Sequence, residues 1–85
     1  MKKSESQAKY RLIAELLQEK RLAAGLRQQD LAERLKEPQS YVSKVESGGR
    51  RVDLVQLHRY CNALGVSLKS FVAEYLKRAE KPGPK

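Results

Sequence analysis

The 85-residue chain is long enough for one small domain with a modest core and too short for two, so a large buried active site is not expected. The formal net charge is +8, and its natural complements are phosphates or anionic lipid headgroups. A single cysteine excludes an internal disulfide and a multi-cysteine metal site, and no apolar run is long enough to span a membrane or form a signal-peptide core, so we expect a cytoplasmic protein without a cofactor.

Glycine and proline residues divide the chain into five segments, none of which shows the two-residue alternation of a half-buried strand. The pattern predicts five helices and no sheet. The polar residues 1–7 and residues 81–85, where prolines cannot continue a helix, are expected to be flexible tails. The domain is therefore predicted at residues 8–80.

The first helix is predicted at residues 8–24, because Gly25 can end it in a left-handed conformation. Its apolar residues recur at helical spacing. The residues expected to face inward are Ile13, Leu16, Leu17 and Leu22.

Two short helices follow, at residues 28–35 and 39–46, with a break before Pro38. In the third helix Val42 and Val45 lie three residues apart and are expected to be buried. That register leaves a polar outward face, made of Gln39, Ser40, Ser43 and Lys44. Two short helices joined by a tight turn in a strongly basic chain are typical of a helix-turn-helix, so the sequence predicts DNA as a partner.

Asp53 is expected to cap the fourth helix, because its carboxylate can accept a backbone N–H group of the first turn. Gly65 would end this helix. The apolar stripe recurs at steps of three, four and three residues, at Leu54, Leu57, Cys61 and Leu64.

Ser67 is expected to cap the fifth helix. The apolar stripe of this helix is wider than the end of so small a domain needs, and it consists of Leu68, Phe71, Val72, Tyr75 and Leu76. We expect part of the stripe to contact another subunit, which makes Phe71, Tyr75 and Leu76 the candidate dimer interface.

No residue set in the sequence has the spacing of a catalytic or metal site. His58 has no partner set of Cys, Asp or Glu and is expected at the surface or its boundary. Cys61 falls on an apolar stripe and is expected to be a small core residue. The sequence therefore does not predict an enzyme.

Several motifs at fixed spacing resemble one known family. They are Gly25 with Leu26, the Gln-Gln-Asp-Leu-Ala run at residues 28–32, the Ser-Tyr-Val-Ser-Lys-Val-Glu run at 40–46, Gly48, and the Ala-Leu-Gly-Val run at 63–66. Over residues 13–75 the chain resembles the Cro/CI repressor family, the XRE-type or lambda-repressor-like helix-turn-helix proteins. The resemblance implies a compact, all-α, five-helix lambda-repressor-like domain with the helix-turn-helix at helices two and three.

The resemblance places the base-reading positions on the outward face of the third helix. Gln can bind adenine through two hydrogen bonds, Lys can donate to guanine, and Ser can reach a base or a phosphate. The positions are Gln39, Ser40, Ser43 and Lys44.

The resemblance also implies contacts to the DNA backbone. Gln28 lies at a helix start, where backbone amides and the helix dipole favour a phosphate, and Arg50 follows two glycines in the loop after the third helix. Tyr41 could equally pack in the core, and Arg51 could instead form an ion pair with Asp53 or Glu46. The full set of expected backbone contacts is Arg27, Gln28, Tyr41, Arg50 and Arg51.

Two further features follow from the comparison with the family. The resemblance implies a structural ion pair between Arg21 and Glu46. The turn between helices two and three differs from the family, since Lys36, Glu37 and Pro38 replace the usual Gly, apolar residue and Ser or Thr. Pro38 is therefore expected at the first helical position in place of a hydroxyl cap.

Together these features predict a sequence-specific DNA-binding transcriptional regulator, most simply a small homodimeric repressor that reads a palindromic operator through the major groove. An antitoxin, which also binds a protein partner, or a restriction-modification controller is an alternative of the same class. A protein-interaction adaptor on the same fold is an alternative of a different class. A membrane-surface role is disfavoured, because acidic residues interrupt the basic face of the first helix.

Overall fold

The chain forms five α-helices in a computed structural model that describes residues 3–80, and no strand occurs in that part of the chain. The helices are α1 (Lys3–Ala23), α2 (Gln28–Leu35), α3 (Gln39–Glu46), α4 (Leu54–Leu64) and α5 (Leu68–Ala79). The predicted all-α, five-helix architecture is confirmed.

The bounds of α2 and α3 agree with the prediction, whereas α1 begins five residues before its predicted start at Ala8. The predicted tail at residues 1–7 is therefore wrong for residues 3–7. No glycine or proline interrupts this segment, so nothing in it stops the helix from extending toward the N-terminus. The rest of that tail, and the tail predicted at residues 81–85, lie outside the described residues.

All five helices contribute to one core: α1 and α4 pack against the helix-turn-helix unit formed by α2 and α3, and α5 packs against α1 and α4. Burial of these apolar side chains is the main force that holds the short helices, because eight-residue helices are not stable on their own in water. The buried core residues are Leu16, Leu17, Leu31, Ala32, Leu35, Tyr41, Val42, Val45, Tyr60, Cys61, Leu64 and Phe71.

The predicted helix caps are present. Asp53 accepts a hydrogen bond from the backbone N of Gln56 at 2.8 Å, and Ser67 accepts one from the backbone N of Ser70 at 2.9 Å. Gly65 ends α4 in the left-handed conformation that glycine adopts without strain.

Two leucines expected to face inward are instead exposed: Leu22 to 59% and Leu54 to 66%. In α1 the inward face near Leu22 is taken by Arg21, and Leu22 lies about 100° further around the helix. Leu54 is the first residue of α4 and lies before the buried part of that helix, which begins at Tyr60. The apolar stripe of α4 therefore extends beyond the core.

The turn between α2 and α3 forms without glycine. Lys36 takes the left-handed conformation, with φ 59° and ψ 43°, and is the only non-glycine residue in residues 3–80 with positive φ. The backbone N of Glu37 donates to the carbonyl of Ala32 at 2.9 Å, which completes the end of α2. Pro38 is the N-cap of α3 and not its first helical residue, one position from the prediction.

Two arginines join α2 and α4 through hydrogen bonds to backbone carbonyls. Arg34 of α2 donates to the carbonyl of Ala63 at 2.9 Å, and Arg59 of α4 donates to the carbonyl of Leu35. Each guanidinium thus satisfies a carbonyl at the C-terminal end of the other helix, where such groups lack helical partners. The helix-turn-helix unit is held against α4 by these bonds as well as by the core.

Candidate nucleic-acid interface

A buried ion pair fixes the end of α3 to α1. Arg21 and Glu46 form two hydrogen bonds, at 2.6 Å through Nε and 3.0 Å through Nη2, and their side chains are 8% and 3% exposed. The remaining guanidinium nitrogen of Arg21 donates to the carbonyl of Leu26 at 2.7 Å. The pair that the resemblance implied is thus present in the structure, in the forked geometry that makes such contacts strong.

A chain of hydrogen bonds runs from this ion pair to the surface of α3. Gln28 Nε2 donates to Glu46 Oε1 at 3.0 Å, and Gln39 Nε2 donates to Gln28 Oε1 at 2.8 Å. The first residue of α2 and the first residue of α3 are therefore oriented by one buried carboxylate. Because Gln39 is exposed, its amide is fixed in direction while it remains open to a ligand.

The outward face of α3 contains the four predicted base-reading residues. Gln39, Ser40 and Lys44 are exposed, and Ser43 is half-buried. The opposite face contributes core residues, so the helix presents a polar surface on a fixed apolar support.

Tyr41 does not lie on that surface. It is 7% exposed, and its hydroxyl donates to Gln56 Oε1 at 3.0 Å. Burial raises the pKa of the Tyr41 phenol. The prediction of Tyr41 as a DNA backbone contact is therefore corrected: its side chain packs in the core and its hydroxyl is bound to α4.

Both arginines of the loop after α3 are exposed and rest on tyrosine rings. The Arg50 guanidinium carbon lies 5.0 Å from the ring centre of Tyr41, and that of Arg51 lies 3.9 Å from the ring centre of Tyr10. Among the side chains of residues 7–80 Arg51 forms no salt bridge, so the alternative ion pair with Asp53 or Glu46 is not observed. Cation–π contacts hold both guanidinium groups while leaving their N–H donors available.

Arg27 precedes α2 and is partly engaged by Asp30. Its Nη2 lies 2.8 Å from Asp30 Oδ1, and its side chain is 77% exposed. This guanidinium, together with the backbone N–H of Arg27, lowers the pKa of the Asp30 carboxyl to about 2. The arrangement closes the first turn of α2 and leaves most of the Arg27 side chain at the surface.

The three residues predicted for a dimer interface have different surroundings. Phe71 is 1% exposed and belongs to the core, so its assignment to the interface is wrong. Tyr75 packs partly against the core, and Leu76 is 42% exposed. The wide apolar stripe of α5 therefore exists mainly because α5 packs against α1 and α4.

Several functional contacts had no signal in the sequence. The stack of Arg51 on Tyr10 joins α1 to a distant loop, and the bonds of Arg34 and Arg59 go to backbone carbonyls, which no side-chain pattern indicates. The burial of Tyr60 in the core could have been predicted, because Tyr60 lies three residues after Leu57 and four before Leu64, on the apolar stripe of α4.

The described residues contain no group of three or more His, Cys, Asp or Glu side chains that could hold a metal ion. Cys61 is buried in the core, as predicted, and burial raises the pKa of its thiol. His58 is exposed. No helix between residues 3 and 80 is both long and apolar enough to cross a membrane.

Comparison with known proteins identifies the family. The helix-turn-helix family model HTH_3 matches residues 17–71. An XRE-family like protein from Pseudomonas syringae pv. tomato str. DC3000 has 36% sequence identity and a TM-score of 0.83, with 94% of this chain and 95% of that chain covered.

The restriction-modification controller protein C.Esp1396I is also similar. Its tetramer in complex with its natural 35 base-pair operator has 25% identity and a TM-score of 0.78, with 86% of this chain and 96% of that chain covered. The wild-type controller structure has 25% identity and a TM-score of 0.79 over 86% and 96% of the two chains. No curated protein sequence matches the chain. The chain belongs to the XRE family of helix-turn-helix DNA-binding transcriptional regulators, as the sequence motifs predicted.

Proposed function

We propose that the protein is a homodimeric bacterial repressor that acts in the cytoplasm and reads a palindromic operator with α3 in the major groove. The observation that carries this proposal is the outward face of α3, where Gln39 is held in one orientation by Gln28 and Glu46. A fixed polar side chain at the start of an exposed helix is what direct reading of a base edge requires.

Gln39 is suited to adenine. One hydrogen of its Nε2 is bound to Gln28, which leaves the carbonyl oxygen and the other hydrogen to pair with adenine N6 and N7. Lys44 is suited to guanine, because its ammonium group can donate to O6 and N7. Ser40 and Ser43 lie between them and would bind a base or a phosphate through a hydroxyl.

Backbone phosphates are bound by groups at both ends of the helix-turn-helix unit. Gln28 lies at the N-terminus of α2, where the helix dipole and unpaired amides attract an anion, and Arg27 lies beside it. Arg50 lies beyond the end of α3 with its guanidinium exposed. Contacts at the two ends would set the depth and angle of α3 in the groove.

A dimer gives this interface its specificity. One α3 reads only a few base pairs, whereas two related by a two-fold axis read half-sites about 34 Å apart. C.Esp1396I, which is similar to this chain, binds its operator as a tetramer, which supports assembly on DNA as the mode of action.

We assign the dimer interface to the start of α4. Leu54 and Val55 are the most exposed large apolar side chains in residues 7–80, at 66% and 70%. They are adjacent in the first turn of α4, so a copy related by a two-fold axis could bury both pairs in one apolar contact. Tyr75 and Leu76 remain the alternative surface.

A restriction-modification controller is the second candidate function. The observation that favours it is the likeness to C.Esp1396I over 86% of this chain. A controller would bind DNA in the same way as a general repressor and would differ in the genes that it controls. The neighbouring genes therefore distinguish the two functions. An antitoxin would instead copurify with a protein partner, and an adaptor would bind DNA weakly and without sequence preference.

Selection of bound sequences from a random duplex library tests the proposal. We expect a palindromic sequence to be enriched and to bind the protein about a thousandfold more tightly than a scrambled duplex at the same salt concentration. No enriched sequence, with residual binding that disappears as salt rises, would overturn the proposal.

Single substitutions then separate base contacts from backbone contacts. Gln39→Ala and Lys44→Ala should each relax the preference at one base-pair position, with a loss of about 1–3 kcal/mol on the selected site. Arg50→Ala should weaken the binding of all sequences to a similar extent. Lys69→Ala, on the first turn of α5, removes an exposed cation that has no proposed contact and should change neither quantity.

Sedimentation of two variants tests the dimer interface. Leu54→Lys should convert the protein to monomers and abolish the advantage of a palindrome over a single half-site. Leu76→Lys should leave the dimer intact. The reverse pattern would move the interface to α5.

A further inference from the structure

A polar cleft lies between the N-terminal half of α1 and the loop that follows α3. Its volume is about 270 Å³, and its walls come from two segments that are far apart in the sequence. The lining residues are Gln7, Tyr10, Arg11, Ser47, Gly48 and Arg51. We call it the α1–loop cleft.

Two arginines line this cleft, one from each wall. Arg51 is stacked on the ring of Tyr10 at 3.9 Å, so one of the two charges is held in place by α1 itself. Arg11 follows Tyr10 on the same helix and is exposed. Neither arginine forms a salt bridge with a side chain that the structure describes.

No Asp or Glu side chain among residues 7–80 lines the cleft. Arg27 and Arg78, by contrast, are paired with carboxylates at 2.8 to 3.0 Å. Two arginines that are paired with no described carboxylate form, together with Gln7, a site complementary to an oxyanion, while the Ser47 hydroxyl already donates to the carbonyl of Lys44 at 3.1 Å.

The position of the cleft indicates which oxyanion it takes. Arg51 is adjacent in sequence to Arg50, the proposed backbone contact, so the cleft continues the proposed DNA-binding surface beyond the helix-turn-helix unit. We propose that the α1–loop cleft binds a DNA backbone phosphate, one distinct from those contacted by Gln28 and Arg50. This inference rests on the proposed function and extends it to α1.

Tyr10 and Arg11 have different roles in this site. Arg11 donates to the phosphate directly, together with Arg51. Tyr10 is a positioning residue, because its ring holds the Arg51 guanidinium on the wall of the cleft. The aromatic face is needed for this contact, and the phenolic hydroxyl is not.

The first experiment compares Arg11→Gln with Lys69→Gln on the selected operator over a range of salt concentrations. Both variants lose one exposed positive charge, but only the first loses a cleft residue. Arg11→Gln should weaken binding about tenfold at moderate salt and reduce the log–log salt slope by about 1 for each bound chain, without altering the base preference. Lys69→Gln should do neither.

A second pair of variants tests the positioning role of Tyr10. Tyr10→Leu should weaken binding and Tyr10→Phe should not, because phenylalanine retains the aromatic face under Arg51. Circular dichroism and thermal melting of each variant establish that α1 is intact.

A scan of duplexes with single methylphosphonate linkages locates the phosphate. One neutral linkage should weaken binding of the wild-type protein more than that of Arg11→Gln, since only Arg51 still contacts this phosphate in the variant. The inference is overturned if Arg11→Gln and Lys69→Gln behave alike, or if every neutral linkage weakens the wild-type protein and Arg11→Gln equally. Absence of any operator for the wild-type protein would instead overturn the proposed function itself.

Discussion

The hydroxyl of Tyr60 is a polar group enclosed by the core. The residue is 0% exposed, and its hydroxyl has no hydrogen-bond partner among the side chains of residues 7–80 or the described backbone. Burial raises the pKa of the phenol, because the core cannot solvate a phenolate. Such a group loses its bonds to water on folding without replacing them.

We therefore expect Tyr60→Phe to leave the free energy of unfolding unchanged or to increase it by up to about 1 kcal/mol. Tyr41→Phe is the matched comparison, because the Tyr41 hydroxyl does donate to Gln56, and its loss should destabilise the fold by about 1 kcal/mol. Urea denaturation of the two variants measures the difference. A larger loss in Tyr60→Phe than in Tyr41→Phe would contradict this account.

At the scale of the helices, the turn between α2 and α3 carries strain at Lys36. A left-handed conformation costs an L-residue with a Cβ about 1 kcal/mol relative to glycine. The family commonly has glycine here, and this chain forms the same turn without it.

Lys36→Gly should raise the free energy of unfolding by about 0.5–1 kcal/mol, because the relief of strain exceeds the added flexibility of the unfolded chain. Lys36→Ala is the control, since it removes the charge and the side chain but retains the Cβ. Its stability should remain within about 0.5 kcal/mol of the wild type. Equal stabilisation by both substitutions would show that the side chain, and not the backbone, is the source of the cost.

The contact between α1 and the end of α3 depends on the Arg21–Glu46 pair. Removal of either partner leaves a buried charge without its counterion, so Arg21→Ala and Glu46→Ala should each lose about 3 kcal/mol. The double variant Arg21→Met with Glu46→Leu should recover much of that loss, because no charge is then buried alone. Thermal melting provides the measurement, and unchanged melting temperatures in both single variants would reject the structural role.

The short helices α2 and α3 were predicted with their observed bounds because helix-breaking residues lie close to their ends, at Gly25, Pro38 and Gly48. The start of α1 was missed because its first residues contain no such signal. Leu54 was misplaced for another reason: periodicity gives the face of a helix but not how far along its axis the core extends.

For the candidate site, the sequence predicted which residues lie on the outward face of α3. It predicted only some of the contacts that hold those residues in place. Residue spacing places Gln39 on the outward face, and family resemblance pairs Arg21 with Glu46. The bond from Gln39 to Gln28 joins the starts of two helices, so it depends on their angle in space. Long-range contacts of this kind are set by tertiary packing and leave no local pattern.

For the molecule as a whole, the net charge of +8 does not show which positive side chains are available to DNA. Arg78 is bound to Glu19 and Glu74, and this network joins α1 to α5. Arg50 and Arg51 rest on neutral rings and retain their full charge toward solvent. The two loop arginines beside the end of α3 are therefore open to phosphate, whereas Arg78 is engaged by two carboxylates.

The salt dependence of DNA binding should report this distribution. Arg50→Gln should lower the log–log salt slope by about 1 for each bound chain, because a phosphate contact is lost. Arg78→Gln removes the same charge from an internal network and should leave the slope unchanged. Fluorescence anisotropy on one duplex at several salt concentrations measures both slopes, and equal changes would mean that net charge alone governs binding.

The reciprocal bonds of Arg34 and Arg59 have a consequence for protein engineering. A segment of α2, turn and α3 moved into another scaffold would leave the Leu35 carbonyl without Arg59, and Arg34 without the Ala63 carbonyl. The buried side of α3 would also lose α1, which supplies the counterion of Glu46. To transfer the recognition properties of this protein, the outward side chains of α3 should therefore be substituted into a complete five-helix relative. The two helices α2 and α3 alone would not be sufficient.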